Sequence, residues 1–161
     1  MLWEVDVRLK EPAGDHAARA VVAGAVALGI RGCQRSETIT GWLIEGELSL
    51  ADVERLAALL LTDPVTERFT VARVGDAALA AAPAGLPTLL HVLPRAGVTD
   101  PAAQSTHESL VLLGIRPTAV RSVRKYWLPP LEAADTERLA WKLDRKSTRL
   151  NSSHSSVSRM P

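Results

Sequence analysis

Four basic side chains are the residues best suited to binding chemistry in this sequence: Arg116, Arg121, Arg124 and Lys125. Guanidinium and ammonium groups bind carboxylates and phosphates through charge-assisted hydrogen bonds. Arg121 and Arg124 straddle a predicted strand and need not share a face of it. The cluster therefore has two interpretations, an anion or partner contact and a solvated charged surface.

The other residue types that commonly carry chemistry lack partners at useful spacing. His16, His91 and His107 are scattered, and no pair has the i, i+4 spacing of metal ligands on one helix. Cys33 follows Gly32 with no base indicated nearby, which favours a half-buried, inert thiol over a nucleophile. The sequence thus predicts no catalytic residue, no metal ligand and no cofactor-binding residue.

Two further features of the sequence bear on acid–base chemistry and nucleotide binding. Glu45 and Glu47 are two residues apart on a predicted strand, so they point to one face. This pattern is typical of a solvated strand face, and the alternative is an acid–base pair. No glycine-rich loop of either common phosphate-binding kind is present. Nucleotide binding by these residues alone is therefore not expected.

Composition excludes several classes of protein. Apolar residues make up 47% and charged residues 23% of the 161-residue chain, as in soluble globular proteins. No run of 18 apolar residues predicts a membrane span, and no secretory signal is recognisable at the N-terminus. One cysteine cannot form an internal disulfide, which favours the cytoplasm. The formal net charge of +1 gives no reason to expect nucleic-acid binding.

The last 18 residues, 144–161, differ from the rest of the chain. Six serines crowd this segment, the apolar periodicity stops at Leu143, and such a composition cannot bury a core. The string resembles the in-frame translation of a sequencing adapter, so we expect an artefactual, disordered tail that packs against nothing; the alternative is a natural flexible basic tail. The tail carries four of the 19 basic and one of the 18 acidic residues, so residues 1–143 have a net charge of −2.

The body of the chain contains an internal repeat. Three matches occur in the same order, two with an offset of 85 residues and one with an offset of 83. They pair residues 28–32 with 113–117, 41–43 with 126–128, and 51–57 with 134–140. The second match places Trp42 and Trp127 in equivalent positions, as core or inter-copy packing residues. A duplicated domain with internal pseudo-two-fold symmetry is the natural interpretation.

Each copy shows the same order of predicted elements. Alternating apolar residues indicate strands, and Asp15, Ser49 and Asp100 are candidate helix N-caps. The predicted strands are 3–9, 34–40, 42–45 and 67–74 in the first copy, and 89–93, 119–123 and 126–128 in the second. Residues 34–45 could also form one long bent strand. The predicted fold is α+β, with two tandem ferredoxin-like units at 1–74 and 88–143, a linker at 75–87, and a second unit truncated before its closing strand.

Burial of apolar surface gives a physical reason for the predicted duplication. One sheet with both helices on one face leaves its other face bare, and each copy is only about 70 residues long. Two copies that pack sheet to sheet, or that join their sheets, would bury more apolar surface.

The second copy resembles the PurS family. The resemblance lies in residues 92–105 with their Asp100-Pro101 pair, in Leu112-Leu113-Gly114 at the helix end, and in residues 121–127 and 137–139. In the first copy residues 61–67 resemble the family's ending, whereas residues 14–19 lack the Asp-Pro pair. Two such copies in one chain are similar to the N-terminal domain of the PurL family, the phosphoribosylformylglycinamidine synthases.

That resemblance implies a fragment of a C–N ligase of purine biosynthesis. The family uses ATP, with Mg²⁺, and glutamine to amidate formylglycinamide ribonucleotide, and its ATP and glutaminase sites lie in other domains or subunits. The PurS-like part is a non-catalytic bridge, so the implied partners are the remaining synthetase domains and the glutaminase. The alternatives are a tandem ACT-like small-molecule sensor, for which the loops 12–14 and 94–97 are weak candidates, and a plain interaction adaptor.

Overall fold

The computed structural model describes residues 1–143 and, for the backbone alone, residues 150–154. The described residues form one six-stranded antiparallel sheet and four α-helices, which confirms the predicted α+β class. No helix among them is long and apolar enough to cross a membrane. The elements are β1 (Leu2–Leu9), α1 (His16–Ala27), β2 (Glu37–Glu45), α2 (Leu50–Leu56), β3 (Glu67–Arg73), β4 (Thr88–Val92), α3 (Pro101–Leu112), β5 (Ala119–Leu128), α4 (Ala133–Leu143) and β6 (Leu150–His154).

Three helices begin at the N-caps that the sequence predicts. The Asp15 carboxylate accepts a hydrogen bond from the Ala18 amide at 2.8 Å, and Asp100 accepts one from Ala103 at 3.0 Å. Ser49 and Asp52 form a reciprocal capping box at the start of α2. Each cap satisfies amide donors that the first helical turn leaves without partners.

The strand order is β3-β1-β2-β5-β4-β6, and every adjacent pair is antiparallel. The two halves of the chain thus contribute three strands each, and they meet where β2 pairs with β5. Thr40 lies opposite Arg124 near the middle of this pair. The two halves therefore join their strands into one sheet and do not pack as two separate sheets face to face.

The short paired strands expected in each half are instead single strands. β2 runs unbroken through Gly41, which agrees with the long-strand alternative for residues 34–45. The prediction of separate strands at 119–123 and 126–128 is wrong, because β5 continues through Arg124 and Lys125. Their backbones pair with Thr40 and Ile39 of β2, so the central ladder holds the segment extended.

All four helices pack on one face of the sheet, which we call the helix side. One core cluster contains residues from α1, α4, β4 and β5, and the other contains residues from α2, α3, β1 and β2. The strand residues of both clusters point to the same face of the sheet. One row across the strands contains Leu90, Tyr126 and Thr38, and another contains Ser122, Trp42 and Val5. Tyr126 and Ser122 are an even number of residues apart on β5, so both rows point the same way. Helix α1 therefore shares a core cluster with strands of the second half while also contacting β2, and α3 shares one with strands of the first half while also contacting β5.

The predicted equivalence of Trp42 and Trp127 is wrong. Trp42 packs on the helix side, in the cluster of β1 and β2. Trp127 lies on the opposite face with Ile39, Leu86 and Leu89. Because neighbouring strand residues point to opposite faces, a one-residue slip in the sequence alignment of the repeat exchanges the faces, and Tyr126 is the residue that shares a face with Trp42.

The linker 75–87 crosses the face opposite the helices, and we call it the strap and that face the strap side. β3 and β4 are separated by three strands, so the chain between them must pass β1, β2 and β5. The strap buries Leu79 and Leu86, and Leu86 joins the cluster around Trp127. The Arg35 guanidinium donates to the Ala84 carbonyl at 3.1 Å.

The expectation that residues after Leu143 pack against nothing is wrong for Leu150–His154. These residues form β6, which pairs with β4 from Thr88–His154 to Val92–Leu150. Strand pairing uses backbone groups, so it needs no apolar periodicity in the added strand. The remaining residues of the predicted disordered tail, 144–149 and 155–161, lie outside the described residues.

Gly41 is expected to be indispensable at the centre of the sheet. A Cβ built there would lie 2.7 Å from Val123 Cγ1 and 3.1 Å from Asp6 Oδ1. Gly41→Ala should therefore lower the free energy of unfolding by about 1–3 kcal/mol through overpacking. Urea denaturation measures the change, and Gly14→Ala is the matched control, since no atom lies within 4 Å of its Cβ position. Equal stabilities of the two variants would contradict the prediction.

Candidate functional site: a buried charged layer

The most unusual chemistry in the described part of the chain lies on the strap side of the sheet. The Lys125 ammonium of β5 donates to Asp6 Oδ2 at 2.7 Å and also contacts the Glu4 carboxylate. Lys125 is 1% exposed and Asp6 is fully buried. We call Glu4, Asp6, His91 and Lys125 the charged layer.

The β-sheet geometry places these side chains together. Glu4 and Asp6 are two residues apart on β1, so both point to the strap side, while Trp3, Val5 and Val7 enter the core on the helix side. Strand β2 separates β1 from β5, so Lys125 must reach across a gap of about 10 Å between strand axes. Gly41 lies opposite Asp6 on β2 and presents no side chain in that path.

Burial changes the protonation of Asp6. Loss of solvent raises its pKa to about 7, an effect that the Lys125 charge opposes and the Glu4 carboxylate reinforces. Two carboxylates face one ammonium, and Asp6 Oδ1 has no hydrogen-bond partner among the described residues. Within the described part of the chain, Asp6 Oδ1 is thus a buried acceptor without a donor, which adds to the cost of ionising this carboxyl group.

His91 is the fourth member of the layer. It lies opposite Lys125 in the β4–β5 pair and is 9% exposed. Burial, and next the Lys125 charge, lower its pKa to about 4, although Glu4 opposes the shift. The imidazole is consequently neutral at physiological pH, and the ammonium of Lys125 faces only the two acids as counter-charges within the layer.

The four basic residues singled out by sequence do not form one cluster. Lys125 is buried in the charged layer, whereas Arg116, Arg121 and Arg124 are exposed. Arg121 lies on the strap side opposite Leu43, and Arg124 lies on the helix side opposite Thr40. The surface therefore offers separate guanidinium groups on two faces of the sheet.

Sequence reasoning missed Glu4 and Asp6 as the partners of Lys125. Alternating acids beside Trp3 and Val5 have the pattern of a half-solvated strand, and only the strap makes their face an interior one. A usable signal lay in β5, where Lys125 stands among Val123, Tyr126, Trp127 and Leu128, which are all buried. A lysine in such a stretch needs an acidic partner.

The other candidates stay apart from the layer. His16 is exposed, His107 is half-buried on α3, and Glu45 and Glu47 are both exposed. Cys33 is fully buried rather than half-buried, and burial raises the pKa of its thiol, which disfavours the reactive thiolate. Within residues 1–143 the structure contains no group of three His, Cys, Asp or Glu side chains that could hold a metal ion.

The charged layer is arranged to fix geometry. It joins β1 of the first half to Lys125, 119 residues later in the chain, across the central strand pair. A buried ion pair contributes little net stability over an apolar substitute, but it penalises arrangements that separate its members. The layer thus selects one register for the two halves.

Comparison with protein-family models and with curated proteins finds no match to this chain.

Removal of the ammonium should be far more damaging than removal of a surface guanidinium. Lys125→Met leaves Glu4 and Asp6 buried together without a counter-charge, and should lower the free energy of unfolding by about 3–5 kcal/mol at pH 7.5. Arg121→Met, on the same strand but exposed, should change it by less than about 0.5 kcal/mol. Chemical denaturation checks both values, and similar effects of the two variants would refute the assignment.

Proposed function

We propose that this chain is the N-terminal, PurS-like tandem domain of a phosphoribosylformylglycinamidine synthase, and that it acts as a non-catalytic bridge between synthetase and glutaminase. The main support for this proposal is that its two three-stranded halves join into one sheet through the β2–β5 pair. Strands β3-β1-β2 and β5-β4-β6 meet at a central antiparallel pair, and each half follows the order strand, helix, strand, helix, strand. In this proposal each half is a ferredoxin-like unit and the whole is a tandem duplication.

The exchange of helices supports a tandem pair that replaces a dimer. Helix α1 shares a core with β4 and β5, and α3 shares a core with β1 and β2. Equivalent hydrogen bonds tie each helix start to a central strand, from Thr38 to Asp15 and from Ser122 to Asp100. Each core cluster thus draws residues from both halves, as is expected of two units that form an obligate pair.

The position of β6 supports the proposed closing strand of the second unit. β6 pairs with β4 as β3 pairs with β1, both antiparallel and both on the outer side of their half. All five residues of β4 are buried, so its outer edge needs a covering strand.

The bridging role fits the disposition of charge. The acids, the imidazole and Lys125 of the charged layer are buried and engaged with one another, which suits a rigid scaffold. Arg116, Arg121 and Arg124 are the exposed groups available for partner or anion contact. ATP, Mg²⁺ and glutamine would then be bound by other parts of a cytoplasmic enzyme.

Complementation in trans tests this function. A phosphoribosylformylglycinamidine synthase lacking its N-terminal domain is assayed with and without the full chain, using glutamine or free ammonia as nitrogen donor. A bridge to the glutaminase should raise glutamine-dependent turnover at least several-fold more than ammonia-dependent turnover, since only the former needs the ammonia path between active sites. The chain alone should show no synthetase, ATPase or glutaminase activity.

Charge-reversal variants serve as controls in that assay. Arg121→Glu and Arg124→Glu test the two faces separately, and a matched change at Arg55 on α2 should have no effect. An equal response with both nitrogen donors would indicate general stabilisation of the synthetase. Absence of binding and of any response, with the chain shown to be folded, would refute the proposal and favour the ACT-like sensor.

A further inference from the structure

The strap and the charged layer together form a device that the proposed function does not require. The described residues place no α-helix on the strap side, and the strap is the segment that crosses it. The layer beneath contains two carboxylates, one ammonium and one imidazole, all nearly inaccessible to water. Movement of the strap would therefore change the solvation of four ionisable groups at once.

The strap is attached more weakly than the sheet it covers. Two buried side chains, Leu79 and Leu86, and the hydrogen bond from Arg35 to the Ala84 carbonyl are its main anchors. Its only regular structure is one 3-10 turn at Ala77–Ala80, and most of its residues are exposed. Segments with few apolar anchors and short local hydrogen bonds open at lower free energy than a core sheet.

We propose that the strap opens as a local unit, and that each opening releases the proton of Asp6 while His91 gains one. The closed layer keeps Asp6 protonated, because burial and the neighbouring Glu4 carboxylate disfavour its charged form, and it keeps the buried imidazole neutral beside the Lys125 ammonium. Water entering the open state ionises Asp6 and protonates the imidazole. The acid O–H bond breaks to water and a ring nitrogen of His91 takes a proton from water, so the total is conserved.

The two proton movements have opposite pH dependence. The closed state holds the acidic proton up to a higher pH than the open state, since the pKa of Asp6 is raised to about 7. In the closed state the imidazole also stays neutral down to a lower pH than in the open state, since the pKa of His91 is lowered to about 4. Between about pH 4.5 and 6 the two contributions cancel, so strap opening is insensitive to pH.

Other charged groups face the strap side but do not share this burial. They are Arg8 of β1, Arg35 just before β2, Glu37 and Glu45 of β2, Arg68 of β3, Arg121 of β5 and, on the strap itself, Asp76. All of these side chains are exposed or half-buried. Their contact with solvent should therefore change little when the strap opens.

Hydrogen exchange at the strap tests the inference in the full-length protein. The amides of Leu79 and Leu86 donate to carbonyls of Asp76 and Pro83, so their exchange, corrected for intrinsic rate, reports the opening constant. For the unmodified chain this constant should be flat from pH 4.5 to 6. His91→Gln should leave only proton release, so opening becomes about tenfold more frequent per pH unit as pH rises.

Asp6→Asn should give the opposite slope, with opening about tenfold less frequent per pH unit over the same range. His107→Gln, on α3 and outside the layer, is the matched control and should remain flat. If Asp6→Asn does not fold, the slope of His91→Gln alone decides. Flat strap exchange in His91→Gln, or slopes that appear only in core amides such as that of Leu90, would overturn the inference.

Discussion

The antiparallel pairing of β2 with β5 is the contact on which the rest of the structure depends. It runs from Glu37–Trp127 to Glu45–Ala119 and merges two three-stranded halves into one sheet. Once the sheet is continuous, the helices of both halves share its helix side, and α1 packs with α4 while α2 packs with α3. The cores are thus properties of the pair of halves, because each draws residues from both.

A continuous sheet with all its helices on one side must solve a second problem, the covering of its other side. Here the strap performs this task, with Leu79 and Leu86 as its buried side chains. A strap of 13 residues cannot supply an apolar layer over six strands, and the centre beneath it is charged. Mutual neutralisation of Lys125, Glu4 and Asp6 makes that burial tolerable, since an unpaired charge there would be prohibitive.

The charged layer also favours one register of the strands that contribute to it. A slip in register would separate the Lys125 ammonium from the Glu4 and Asp6 carboxylates and leave buried charges unpaired. Gly41 belongs to the same arrangement, because any side chain there would meet Val123 and Asp6. The polar centre thus specifies which strands meet and at which residues.

The local features of this protein can be predicted from its amino-acid sequence. Capping at Asp15, Ser49 and Asp100, the α+β class and the position of the linker all follow from short-range rules, because caps and periodicity act within a few residues. The repeat predicted the element order but misplaced Trp127, since one residue of slip in a strand exchanges its faces. The helices that cover each strand and the acids that meet Lys125 follow from the assembled fold, because those contacts join residues as far as 119 positions apart. The joined sheet and its strap bring these residues together.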